Sequence, residues 1–146
     1  MKQHLLLIFF IVGMCGCVSQ QNGTNTLYEQ LGGEPGITRI VDNFLYQISE
    51  DQLVLPRFAN SDVMRFREKM IEHISYVSDG PVEYTGDDMV ETHKDMNINP
   101  AEFNSIVENL IVAMEDADTP ISAQNALLKR MALSYKDVIG EEFQTP

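Results

Sequence analysis

Tryptophan is absent from this 146-residue chain, and basic residues are scarce: ten Lys and Arg stand against 22 Asp and Glu, a formal charge of −12. A surface this acidic repels phosphate backbones and anionic headgroups. That excludes nucleic acid as a partner and argues against electrostatic docking on anionic lipid. Cysteine is nearly missing too. The only two, Cys15 and Cys17, lie close to the N-terminus. The rest of the chain therefore builds no disulfide and no thiolate metal site, and can cross an oxidising compartment without mispairing. Of three histidines, only His73 and His93 lie beyond residue 26. Their spacing assembles no Ser-His-Asp or Cys-His set, and no glycine-rich loop of the phosphate-cradling type occurs. From Leu27 onward there is no convincing alternating run, no internal repeat and no low-complexity segment.

The first feature that is present is an apolar run. Lys2 and His4 precede Leu5 to Val12, which are all apolar, and Gly13-Met14-Cys15-Gly16-Cys17 follow. A positive start, a short greasy middle and small residues at the end form the layout of a secretory signal. At about 14 residues the apolar stretch is too short to span a bilayer comfortably. Met14-Cys15-Gly16-Cys17 resembles the bacterial lipoprotein signal, although Met14 and Cys15 depart from its usual Leu and Ala or Ser. That resemblance implies lipidation at Cys17, with Ser19 favouring the outer membrane. The expected layout is a signal segment over 1–17, a polar tether over 18–26, a folded domain over 27–140 and a tail over 141–146. Loss of residues 1–16 removes Lys2 alone among the charges, leaving 9 cations against 22 anions, or −13.

Beyond the tether, apolar residues recur at helical spacing. Leu27 and Leu31 make a short turn stopped by Gly32-Gly33. Pro35 opens a helix carrying Ile37, Ile40, Val41, Phe44, Leu45 and Ile48. Leu53, Leu55, Pro56 and Phe58 form an irregular corner. Ser61-Asp62 cap a helix whose stripe is Val63, Phe66, Met70, Ile74 and Val77, with His73 beside it. Asp79-Gly80-Pro81 end that helix, and Tyr84-Thr85-Gly86 sit in a loop. Asp87 or Asp88 starts a short helix with Met89 and His93. Asn99-Pro100-Ala101-Glu102 is a strong start signal for a helix with Phe103, Ile106, Val107, Leu110, Ile111 and Met114. Pro120 breaks the chain, and a last helix carries Ala123, Leu127, Leu128, Met131, Tyr135 and Val138. The fold class is all-α, with about six helices. Taken alone, His93 reads as a surface or internally satisfied histidine, and the eight Met and seven Phe read as core filler or as an adaptable apolar lining.

Leu27-Tyr28-Glu29-Gln30-Leu31-Gly32-Gly33, with Pro35 and Ile37 after it, resembles the opening of group 1 truncated haemoglobins. Asp42-Asn43-Phe44, Phe58-Ala59-Asn60, Gly80-Pro81, Tyr84-Thr85-Gly86, Met89 and His93 are similar to that family in the same order, over Leu27 to Ile139. The glycine pair, the Tyr-Thr-Gly loop and a histidine seven residues after its glycine are jointly specific. The resemblance implies a truncated globin, a two-over-two helical sandwich around one haem b. It makes His93 the proximal ligand, with one ring nitrogen on iron and the other donating to a carbonyl to fix the ring. Phe58 would pack on the haem face, with Phe44 and Met89 near the pocket.

Departures from the family pattern fall on the distal side. Many members carry a Tyr directly after the position of Phe44, and its hydroxyl hydrogen-bonds bound oxygen. Here that residue is Leu45, and Tyr46 follows about 100° further round the helix. Phe66 and Met70 stand where the family often has Gln. A distal side of Leu45, Phe66 and Met70 offers no good donor, a loss on the order of 1–3 kcal/mol, or roughly 10- to 100-fold in oxygen retention. Three neighbours can restore polarity: Lys69, which binds the iron in some relatives, Met70 through its sulfur, and His73 at the haem edge. Their plainer readings are a solvated lysine, a core methionine and a packing histidine. The implied function is reversible binding of O₂, NO or CO in the cell envelope, for oxygen transport, storage or NO handling. Against it stand NO dioxygenation or peroxidase-like turnover, which needs an electron donor and a reductase domain this chain does not show. Six-coordinate electron transfer is a further alternative. The last is a haem-free helical domain on a lipid anchor, which requires an idle His93.

Overall fold

The computed structural model describes residues 25–144. The signal segment with Cys17, and most of the expected tether, lie outside the described residues. Seven α-helices follow one another: α1 Leu27–Gln30, α2 Gly33–Glu50, α3 Val63–Val77, α4 Met89–His93, α5 Pro100–Asp116, α6 Ile121–Met131 and α7 Tyr135–Val138. Single 3₁₀ turns occupy Leu55–Phe58, Ala132–Ser134 and Glu141–Phe143. Among the described residues there is no strand, only one isolated parallel bridge between Ile98 and Ile139.

The helices start where their caps dictate. Thr26 and Glu29 exchange side chain to backbone bonds in a capping box on α1. Asp62 accepts from the Arg65 N–H at 3.0 Å on α3, and Asn99 with Glu102 closes a second capping box on α5, where Pro100 takes the first turn. Between α1 and α2 the chain reverses within two glycines. Gly32 has φ of +89°, and a Cβ on Gly36 would sit 2.0 Å from the Leu31 carbonyl oxygen. Only glycine permits that approach, and α2 accordingly begins at Gly33, two residues ahead of the expected proline.

Helix α2 packs across both α5 and α3, and α6 lies against α3, α5 and α1. Two helices thus rest on two. The core between them is apolar and closed: Ile37, Ile40, Val41 and Phe44 of α2 meet Ile74 of α3, Leu110, Ala113 and Met114 of α5, and Ala123 and Leu127 of α6. Asn43 Nδ2 donates to the Ala113 carbonyl at 3.2 Å and sets the register of α2 on α5. The corner after α2 is organised by Asp51. Its carboxylate accepts from Ser105 Oγ at 2.5 Å and Asn109 Nδ2 at 2.7 Å, and from the backbone N–H groups of Leu53 and Val54. The Ser105 hydroxyl, ahead of the other donors, holds this carboxyl below its ordinary value of 3.8. Arg57 adds a second tie. Its guanidinium grips both oxygens of the buried Glu102 at 2.8 Å and donates to the Met96 carbonyl at 2.7 Å.

Two expectations need correction. Val63, expected on the buried stripe of α3, is exposed as the first residue of that helix. The expected single last helix is interrupted by the 3₁₀ turn at Ala132–Ser134. Three residues at about 120° instead of 100° turn the chain roughly 60° further. That break lets Tyr135 of α7 meet Phe103 of α5 edge to face, centroids 4.8 Å apart, and lets α7 pack on α4.

Leu127→Ala is expected to lower the unfolding free energy by about 2–5 kcal/mol through a core cavity. Leu133→Ala, at a side chain 84% exposed in the 3₁₀ turn, should change it by less than about 0.5 kcal/mol. Urea titrations at one pH measure both. A second expectation concerns acid. A carboxyl held down in the folded state stabilises it above the unfolded value, and that contribution fades as pH falls through the folded value. Asp51→Asn should therefore flatten the loss of stability between about pH 5 and pH 2.5, read as urea midpoints across that range.

Candidate functional site

Helix α4 is five residues long and starts at Asp88, whose carboxylate accepts from the Glu91 N–H at 2.8 Å. At its end stands His93, half-buried, with Nδ1 2.9 Å from the Met89 carbonyl oxygen. A carbonyl only accepts, so Nδ1 carries the proton in this contact. In the neutral ring Nε2 then keeps its lone pair, the form in which imidazole ligates a metal.

Apolar side chains with uncovered surface gather on the neighbouring elements. Phe58 in the 3₁₀ turn and Phe66 on α3 meet edge to face at 5.1 Å and 78°. With Met70 they pack on the edge of the core without being buried in it. Phe44 lies beneath them, 1% exposed. Leu45 and Met89 are half-buried. His73, on the turn of α3 after Met70, meets the Tyr84 ring edge-on, centroids 5.1 Å apart. Burial, ahead of the neighbourhood of His93, pushes the His73 imidazole down from its ordinary value. Through Tyr84 and Thr85 the loop before α4 meets this side of α3. One nitrogen donor beside uncovered aromatic and thioether groups fits a flat apolar macrocycle carrying a metal. Among the described residues no group of three or more His, Cys, Asp and Glu could hold a bare metal ion.

Two polar neighbours are committed elsewhere. Lys69 is not simply solvated: its ammonium donates to both Glu72 oxygens at 2.9 Å and to Thr85 Oγ1 at 2.6 Å. Lys69 first, then Thr85, holds the Glu72 carboxyl below the ordinary range. Tyr46, beside Leu45 in sequence, is 62% exposed and cannot stand in for a hydroxyl at that position. The Tyr84 ring lies against Gly86 so closely that a Cβ there would sit 2.3 Å from its hydroxyl and displace the ring. The Lys69–Glu72 spacing was visible as an i,i+3 pair. Nothing in the sequence pointed to Thr85 as its third member, or to Tyr84 as the partner of His73. A surface cavity of about 290 Å³ on α3, with Tyr28, Arg67, Ile71, Ser75 and Val82 among its walls, includes neither histidine.

The family model of bacterial-like globins matches residues 26–139. The chain is 33% identical over 101 residues to the group 1 truncated haemoglobin GlbN of Nostoc commune, covering 69% of this chain and 84% of that one. To the group 1 truncated haemoglobin of Tetrahymena pyriformis it is 29% identical over 120 residues, 82% of this chain and 99% of the other. The crystal structure of that Tetrahymena protein in its Fe(III) form superposes with a TM-score of 0.77, at 29% identity, covering 80% of this chain and all of that one. The fold, the match over nearly the whole described body and the imidazole of His93 held by the Met89 carbonyl agree: this chain belongs to the bacterial-like globins, among the group 1 truncated haemoglobins, with haem as its cofactor and a small gas as its ligand.

Proposed function

We propose that the protein binds a diatomic gas reversibly at one haem b held by His93. It does so in the cell envelope, exported on residues 1–17 and tethered there through Cys17. The observation that carries the haem assignment is the bond between His93 Nδ1 and the Met89 carbonyl. It selects the tautomer that ligates and sets the plane of the ring. The envelope location rests on the composition of the first 17 residues.

Bound haem supplies an iron coordination position at which O₂, NO or CO exchanges. The chain's residues supply the rest. His93 Nε2 would hold the metal from one side. Phe58, Phe66 and Met70, with apolar surface left uncovered by the core, would cover the porphyrin and keep water from it. On the side expected to receive the gas, Leu45, Phe66 and Met70 carry no hydrogen-bond donor. Lys69 has spent its protons on Glu72 and Thr85, and Tyr46 is exposed. The pocket therefore favours fast gas exchange over tight oxygen retention.

The purified protein is expected to show a Soret band that His93→Ala abolishes. An unchanged band in that variant would remove the assignment. Leu45→Tyr should slow the departure of oxygen from the ferrous protein by roughly 10- to 100-fold, followed by stopped-flow replacement with CO. An unchanged rate would show that residue 45 does not face the gas. Incorporation of labelled palmitate into wild type but not Cys17→Ser tests the tether.

A further inference from the structure

Helix α4 presents a mechanical problem. It has five residues and none of them is buried, so burial in the core does not hold it. Helix α7 packs on it, and in the loop that delivers it Tyr84 and Gly86 are half-buried while Thr85 and the others are exposed. Among the described residues, Thr85 is the only position from 82 to 87 whose backbone N–H finds a partner, and that partner is Glu72 Oε2 at 3.2 Å. The Thr85 hydroxyl doubles the tie, donating to the same oxygen at 2.9 Å while accepting from Lys69 Nζ at 2.6 Å. Lys69 and Glu72 stand one turn apart on α3, with side chains only 27% and 24% exposed. One ion pair on a long helix thus clasps one residue of the loop, eight positions before His93, while Thr92 Oγ1 of α4 donates to the Asp87 carbonyl at 3.2 Å at the loop's other end.

We propose that Thr85, gripped by Lys69 and Glu72, is a positioning residue for His93. The clasp anchors the loop to α3, α4 follows from the loop, and the imidazole follows from α4. Tyr84 supports the same end of the loop, its ring wedged between His73 and Gly86. An ion pair this close to the surface adds little to overall stability. Its effect is local, since partners behind a metal-binding histidine govern how firmly and at what angle it binds. The inference rests on His93 as the haem ligand, and its failure is distinguishable from the failure of that reading.

The test compares Thr85→Val, which keeps the shape and loses the hydroxyl, with Thr85→Ser, which keeps the hydroxyl, in the haem-loaded full chain. The readouts are the iron–histidine stretching band of the ferrous protein by resonance Raman, and the rate of haem transfer to excess apomyoglobin. Thr85→Val should shift or broaden the band and release haem about tenfold faster, while Thr85→Ser matches the parent. Glu72→Gln leaves the loop side chains in place and should reproduce the Val phenotype; it carries the test if Thr85→Val takes up no haem. A band and release rate in Thr85→Val and Glu72→Gln equal to the parent within about twofold would overturn the proposal, as would a Ser variant as impaired as the Val one. Haem retained by His93→Ala would instead overturn the ligand assignment.

Discussion

An imidazole turns a lone pair outward from one nitrogen only while the other keeps its proton. The bond from His93 Nδ1 to the Met89 carbonyl secures that condition within a single turn of helix. The turn exists because Asp88 caps it, and its direction is set by elements outside it. Everything the family assignment implies about gas chemistry passes through this local geometry. The large core between α2, α3, α5 and α6 contributes by packing α3, whose His73, Lys69 and Glu72 meet the loop before α4 at Tyr84 and Thr85.

The body of the fold and its small functional helix are stabilised by different physics. Area removed from water holds the first: fully buried Ile37, Ile40, Ile74, Met114 and Leu127 are packed from four helices. The second has α7 packed on it and directional polar contacts on either side. The Thr85 clasp lies before α4. After it, Arg57 reaches from the turn carrying Phe58 to buried Glu102 and to the Met96 carbonyl. Asp95 and Asn97 adopt left-handed backbone conformations between these points, among the few non-glycine residues in the fold to do so. The chain around His93 is thus bent sharply and tied at both ends.

Much of this was legible in the sequence where the signal is local. The 3.6-residue spacing of Ile37, Ile40, Val41, Phe44 and Ile48 gave α2, and Asn99-Pro100-Ala101-Glu102 marked the start of α5 to the residue. The family match rested on short motifs whose glycines have steric reasons now visible at Gly32 and Gly86. What escaped is non-local. The break at Ala132–Ser134 accompanies the contact of Tyr135 with Phe103, a contact between helices that periodicity cannot register. Lys69 read as solvated because its partner Thr85 lies 16 residues away. Glu102 was recognisable as a capping residue, but its second role under Arg57 depends on a partner 45 positions earlier. His93 itself carried no intrinsic signal, and only resemblance singled it out.

Because the interior closes without a buried residue from α4, the packing of the four long helices and the placement of the helix that carries His93 are separate matters. A substitution in α4 or in the loop before it can alter how the imidazole is presented without opening the apolar interior those helices share.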